Sequence, residues 1–395
     1  MHKHVLVSGG GIGGLAAALA CARAGWQCRL FEQAATFGEV GAGVQLGPNA
    51  TRLLQAWGLG PALAQVAAFP QRLEARSALT GDTLGRLRLG DASHQRYGAP
   101  YATVHRADLH GLLLQAVRAE GSVSLSTGVR VLALAPSEHA IALRTEAGLD
   151  IEGDALVGAD GLWSQVRQAI LADGPAQPVG HLAYRALALQ ADLPEALRSR
   201  QVTAWLGPRL HVVAYPVRQG EALNVVIIVQ GGSTADAAGW DHAGAAADLQ
   251  AAMQGACPAL RELVDAMPGW RLWVLCARNP LRGPEGMARG RVALLGDAAH
   301  PMRPYLAQGA GMALEDAAEL GRSLAMVDNG VVDVPTALRR YALNRWQRCA
   351  RVQRRSERNG SIFHATGFMA LGRDLALRVL GERVLDVPWL YRGTS

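Results

Sequence analysis

The chain has 395 residues, half of them hydrophobic, which exceeds a typical single domain and suffices for two cores. Its five cysteines, odd in number and without C-x-x-C spacing, argue against a disulfide framework or a cysteine metal cluster and fit a reducing cytoplasm. The net charge of +6 is concentrated in one stretch, 337–358, where eight arginines face the single acid Glu357; with no aromatic stacking pattern beside them, they read as a solvated or subunit-facing helix rather than a nucleic-acid surface.

His4 to Ser8 reads as a strand, followed at once by Gly9-Gly10-Gly11-Ile12-Gly13-Gly14 and a helix from about Leu15 to Ala24. The clustered glycines and Arg23 make this a strand–turn–helix rather than a signal peptide. A second strand, Trp26 to Phe31, ends in Glu32. Gly9, Gly11 and Gly14 thus form G-x-G-x-x-G inside a βαβ start, with an acid at the distance that suits a ribose. The first glycine permits the tight turn, the second lets a pyrophosphate approach the backbone, and the third allows close helix–strand packing.

Residues 38–44 are glycine-rich, and a helix with Leu53, Leu54 and Trp57 follows. Such a loop lets backbone approach a flat ligand, or simply turns. Two or three short strands are expected between Phe69 and Tyr101; His105-Arg106 then enters a helix, where Arg106 suits a phosphate or a surface ion pair. Strands recur from Ser122 to Val157, and the buried run Asp154–Ala159 is capped by Asp160-Gly161, with Ser164 and Arg167 on the next helix. Beyond Gly174, strands at 184–189, 202–206, 211–217, 223–230 and 270–275 lack intervening helices, which predicts an antiparallel sheet in a separate domain. His211 and Tyr215 lie four residues apart on one strand, so both face one side. Each reads as a pocket residue or as plain core.

The chain returns near Gly286 to the strand Arg291–Leu295, which ends in Gly296-Asp297. Pro301 and Pro304 forbid regular helix in the following loop, and Gly309-Ala310-Gly311 opens an Ala- and Leu-rich helix. A carboxylate for hydroxyls and a helix N-terminus for negative charge therefore stand together beyond a strand end. Helices Arg339–Arg358 and Gly367–Leu380 complete the chain. No run of 18 or more residues lacks both charges and glycines, so no membrane span is expected.

Gly9–Gly14 with Glu32, the segment Asp154–Arg167 and the segment Gly296–Asp316 together resemble the single-component FAD-dependent aromatic hydroxylases, a group that includes salicylate hydroxylase, 3-hydroxybenzoate 6-hydroxylase and 6-hydroxynicotinate 3-monooxygenase. The resemblance implies an α/β fold: a Rossmann-like FAD-binding domain (1–70, 100–175, 285–335), an inserted antiparallel-sheet substrate domain (71–99, 176–284) and C-terminal helices (336–395). It implies that Gly9, Gly11, Ile12, Gly13 and Gly14 cradle the FAD pyrophosphate, and that Glu32 holds the ribose. Arg106 and Val44 would flank the flavin, Val131 the adenine, and Asp160 would serve both FAD and nicotinamide. Asp297 would bind the ribityl chain, Pro301 would lie beside the ring, and Gly309, Ala310 and Gly311 would aim the helix dipole at the flavin. His211, Tyr215 and Tyr305 would line the aromatic pocket, His211 as the base that activates a ring hydroxyl.

The implied reaction uses NADH or NADPH, O2 and a flavin hydroperoxide to hydroxylate a small aromatic or N-heteroaromatic substrate. One dinucleotide fingerprint means the nicotinamide binds transiently. A homodimer stays open. Competing readings are a reductase or dehydrogenase on the same fold and a non-catalytic flavin-binding protein. A flavin halogenase is disfavoured because Trp270-Arg271-Leu272-Trp273 has the wrong spacing for its signature.

Overall fold

A computed structural model describes residues 3–38, 42–231, 242–243, 246–329 and 332–393; residues 39–41 of the glycine-rich loop and most of the Ala-rich stretch before 246 lie outside it. The chain folds as two compact units. The first comprises 1–40, 107–177 and 277–355, and the second 41–106, 178–276 and 356–395.

In the first unit, five strands run parallel in the spatial order Val292–Leu294, Ala155–Gly158, His4–Ser8, Gln27–Glu32, Val123–Thr127, with Ala288–Arg289 antiparallel at one edge. Val5, Leu6, Val7, Leu156 and Val157 are fully buried, as central parallel strands require. The helices Ile12–Arg23 and Gly309–Ala325 pack against each other through small residues. A Cβ on Gly321 would come within 3.0 Å of the Ala20 carbonyl oxygen, so glycine there sets the helix spacing. A three-stranded meander, Val131–Pro136, Ile141–Thr145 and Asp150–Gly153, branches off this unit.

The second unit is built on an eight-stranded sheet that includes Gln177–Leu189, Ala222–Gln230, Leu210–Val217 and Val202–Gly207 as successive antiparallel neighbours. Arg72–Ser77 joins it in parallel to Val202–Gly207. Leu182, Tyr184, Val212, Ala214, Val225 and Ile227 turn one face toward Leu249, Leu260 and Leu263 of two covering helices. The alternate residues, among them Arg185, His211, Tyr215 and Asn224, therefore occupy the opposite face.

The units differ from the boundaries expected from sequence. Segments 41–70 and 100–106 group with the second unit, because Gly43–Leu46, Ala67–Ala68 and Ala102–His105 pair into one small sheet there. The arginine-rich helix spans Val334–Phe363, and the expectation of a solvated or subunit-facing surface helix needs correction at two positions: Arg345 is fully buried and Arg348 largely so, while Arg339, Arg340, Arg351, Arg354 and Arg358 are exposed. Among the described residues no helix is long and apolar enough to cross a membrane.

Candidate cofactor and substrate site

The glycine fingerprint is explained by space. Gly9 has φ +106°, and a Cβ there would strike the Ala159 carbonyl; a Cβ on Gly14 would overlap the carbonyl oxygen of Gly9 itself. Gly11 stands immediately before the helix Ile12–Arg23, with no side-chain cap and no acid in its first turn, leaving the N-terminal amides to an anion. Glu32, at the end of its strand, accepts the Gly10 N–H at 2.7 Å and the Ala34 N–H at 2.8 Å, which fixes its carboxylate beside the turn. His110 Nε2 reaches the Gly10 carbonyl oxygen at 2.8 Å and supports the turn from below.

Asp160 caps the next helix: it accepts Ser164 Oγ–H at 2.5 Å and the N–H groups of Gln165 and Val166 at 2.8 and 3.1 Å. Behind it, the buried Arg167 ion-pairs with Asp173 and donates from Nη1 to the carbonyls of Ala298 and Ala299 at 3.1 and 2.8 Å. It thereby pins the loop that carries the exposed Asp297. Asp316 holds the same loop from the other side, taking the Gly296 N–H at 3.1 Å and His300 Nε2 at 2.5 Å. Its second oxygen accepts Arg345 Nε at 2.7 Å, and Glu315 pairs with Arg345 and Arg348. Burial alone would raise Asp316, but His300 and Arg345 hold it down at about 2, and the same pairing drives His300 well above 6.5 despite its burial. His300, Asp316 and Cys349 lie close enough to suggest a metal, yet the Asp316 oxygens already serve His300, Arg345 and a backbone amide.

Downstream, Pro301 is buried and its carbonyl accepts Gln353 Nε2 at 3.0 Å; Tyr305 is buried on the turn Pro304–Leu306. The helix Gly309–Ala325 starts without a side-chain cap or a first-turn acid, so Gly309, Ala310 and Gly311 present amides at its positive end. Val131 is buried at the start of its meander strand. All these residues belong to the first unit, and they fit an FAD: glycines where a Cβ would collide, an acid beside the turn, a braced exposed carboxylate and a free helix terminus.

In the second unit, Val44 is half-buried on the strand Gly43–Leu46, and the Arg106 N–H bonds the Ala42 carbonyl at 2.8 Å. His211 and Tyr215 occupy one sheet face but have different neighbours. His211 Nδ1 shares a 2.7 Å hydrogen bond with His364 Nε2, with Phe363 edge-on and the His181 ring tilted against His364 at 5.1 Å between centroids. Tyr215 lies opposite Asn224, against the backbone of Gly43. Four strand residues correspond to about 13 Å, so the two side chains stand well apart on that face.

Burial, then His364 and His181, push His211 well below 6.5, and burial takes His364, beside His181 and Arg373, to about 4. Both are therefore neutral in the folded protein at pH 7. Groups depressed in this way stabilise the fold above about pH 6.5 and lose that contribution as the pH falls toward about 4, by up to ~1.4 kcal/mol per pH unit each. His300 acts in the opposite sense, its contribution being fully present below pH 6.5. Denaturant unfolding between pH 7 and 5 should thus show a steep loss that becomes shallower in His364→Phe. Equal slopes would contradict this assignment.

Sequence reasoning did not find Arg167, Asp316, Arg345, His364, Arg185 or Asn224 as site residues. Arg345 was signalled only by period: Tyr341, Arg345, Cys349 and Val352 fall on the helix face that is buried.

Comparison with known proteins agrees with this geometry. The family described as FAD binding domain matches residues 2–356. A 3-hydroxybenzoate 6-hydroxylase of Polaromonas naphthalenivorans is 40% identical over 390 residues, covering 98% of this chain and 95% of that protein. Among solved structures, Klebsiella pneumoniae HpxO complexed with FAD and uric acid superposes with TM-score 0.84 at 25% identity, covering 97% of this chain and 94% of its own. A salicylate hydroxylase substrate complex superposes with TM-score 0.82 at 26% identity, covering 100% and 96%.

Proposed function

This chain belongs to the FAD-binding domain family and is an FAD-dependent aromatic monooxygenase, and from that premise we propose that it hydroxylates a hydroxybenzoate-type aromatic acid with NADH or NADPH and O2. Bound FAD supplies the electron transfer and the activation of dioxygen. The chain's own residues bind, orient and move protons. Gly9, Gly11, Ile12, Gly13 and Gly14 hold the pyrophosphate, Glu32 the ribose, Asp297 the ribityl hydroxyls and Val131 the adenine side. Gly309, Ala310 and Gly311 direct positive charge at the flavin edge, while Val44, Arg106 and Pro301 border the ring, and Asp160 keeps its neighbouring loop in place. His211 accepts the proton of the ring hydroxyl at Nε2, Tyr215 orients the ring, and Tyr305 shields the reacting carbon from water.

The observation that supports this reading most is the chemistry of the second unit's sheet. One face is largely apolar and covered; the other carries Arg185, Tyr215 and Asn224 in neighbouring register, with His211 four residues along, a polar set that an ordinary core face would not bury. Burial and the neighbouring histidines hold His211 well below 6.5, so it is neutral at pH 7 and has a lone pair to offer, while the same shift makes it a weaker base.

The test is stopped-flow reduction of the holoenzyme's flavin by NADH, with and without 3-hydroxybenzoate. With one dinucleotide fingerprint the nicotinamide binds transiently, so substrate should accelerate reduction by at least about tenfold through motion that exposes the ring. Equal rates, without substrate-dependent O2 uptake, point to a simple reductase. The five cysteines are free thiols, four of them buried, which supports a reducing cytoplasm. A homodimer completes the reading: the helix Gly367–Leu380 exposes Phe368, Leu371, Leu375 and Val379, and sedimentation would report the assembly.

A further inference from the structure

The polar sheet face contains two buried donors that the fold itself does not use. Arg185, on the strand Gln177–Leu189, stacks its guanidinium 4.9 Å from the ring centroid of Trp273. Its Nε is shielded from solvent, and among the described residues the side chain makes neither a hydrogen bond nor an ion pair. The ring contact satisfies the guanidinium's flat face but leaves its in-plane N–H groups without acceptors. Asn224 is 1% exposed on the neighbouring strand. Its Oδ1 accepts the Gly43 N–H at 2.7 Å, which fixes the amide's orientation; its Nδ2 has no acceptor among the described residues.

Register brings these groups together. Arg185 pairs with Val226, Asn224 follows two positions along that same strand, and Tyr215 lies directly opposite Asn224. Two-residue diagonals on one sheet face lie within reach of long side chains. Tyr215 and Arg106 are the charged or titratable groups that bear on Arg185, the second with like sign. Gly43 leaves no room for a side chain there, since its Cβ would come within 2.5 Å of the Tyr215 ring, so the loop backbone closes on the same face.

We propose that Arg185, Asn224 and Tyr215 form a carboxylate-binding subsite, which makes aromatic acids, rather than neutral phenols, the substrates of this enzyme. A guanidinium without a counter-ion in a shielded place is unfavourable, and a ligand anion removes that cost. The planar fork of Arg, an amide N–H and a phenol O–H match the two oxygens of a carboxylate and its lone pairs. A neutral phenol with no acceptor at that position would leave the buried Arg185 Nε–H and Asn224 Nδ2–H unmatched, and a neutral amide would leave the Arg185 charge without a counter-ion. The arrangement also orders the ring: the carboxylate lies toward Tyr215 and the opposite side toward His211. This inference rests on the hydroxylase reading above.

The experiment is titration of the FAD holoenzyme with 3-hydroxybenzoate and with 3-hydroxybenzamide, followed by flavin absorbance, together with KM and kcat for both. The unmodified enzyme is expected to favour the acid by on the order of 100-fold in Kd. Arg185→Gln should abolish that preference, weakening the acid by on the order of 100-fold while changing the amide by less than about threefold. The loss should fall on KM more than on kcat. Arg185→Lys keeps the charge without the fork and should fall between. Retained FAD content in each variant confirms that the fold is intact. If the unmodified enzyme hydroxylates both ligands and Arg185→Gln leaves their ratio unchanged, the subsite is wrong and the hydroxylase reading stands. If neither ligand is bound or hydroxylated, the hydroxybenzoate reading fails and takes the subsite with it.

Discussion

Replacing His211 by alanine is expected to slow hydroxylation by ~10²- to 10⁴-fold, the range for losing a positioned general base, while FAD remains bound. NADH oxidation should continue with release of hydrogen peroxide, because a ring whose hydroxyl keeps its proton is a poor acceptor of oxygen. The expectation follows from the hydrogen bond between His211 Nδ1 and His364 Nε2. When Nδ1–H is the donor, Nε2 carries the lone pair and can take the substrate proton; the base role requires this tautomer, with His364 Nε2 as the acceptor. Peroxide yield and product yield, measured together, separate loss of the base from loss of the fold. Near-normal hydroxylation by His211→Ala would make His211 a strand residue only, and Tyr305 the next candidate.

The second large effect is on stability. Arg345→Met is expected to destabilise the first unit by roughly 3–5 kcal/mol, because it leaves Asp316 and Glu315 buried with an important partner gone. The same change frees Asp316 to shift, and Asp316 holds Gly296 and His300 on the loop bearing Asp297. FAD retention should fall along with the unfolding midpoint. Exposed Arg354→Met is the control and should change stability by no more than about 0.5 kcal/mol. A loss below ~1 kcal/mol for Arg345→Met would mean that the network carries little of the fold's stability.

Local signals make much of this protein legible in its sequence. The strand before Gly9, the helix after it and the second strand ending in Glu32 emerged because apolar period and glycine punctuation both act within a few residues. Likewise the strands near 202–230 were readable from β-branched alternation. What stayed hidden depends on long-range register. Nothing near Asn224 in sequence says that it accepts the Gly43 N–H, a residue 181 positions away. Nor does anything near His364 in sequence place it against His211, 153 positions away. The arginine cluster misled for a related reason. Composition counts charge along a helix, whereas burial is decided by which face meets Glu315 and Asp316.

The central claim, oxygen insertion into an aromatic acid, is tested most directly by product analysis. Purified holoenzyme is incubated with 3-hydroxybenzoate, NADH and isotopically labelled dioxygen, and the product is identified by mass spectrometry. The account predicts one labelled oxygen in a dihydroxybenzoate, formed in step with NADH consumption. Complete NADH oxidation to hydrogen peroxide with the aromatic acid unchanged, across a panel of hydroxybenzoates and hydroxypyridines, would contradict it.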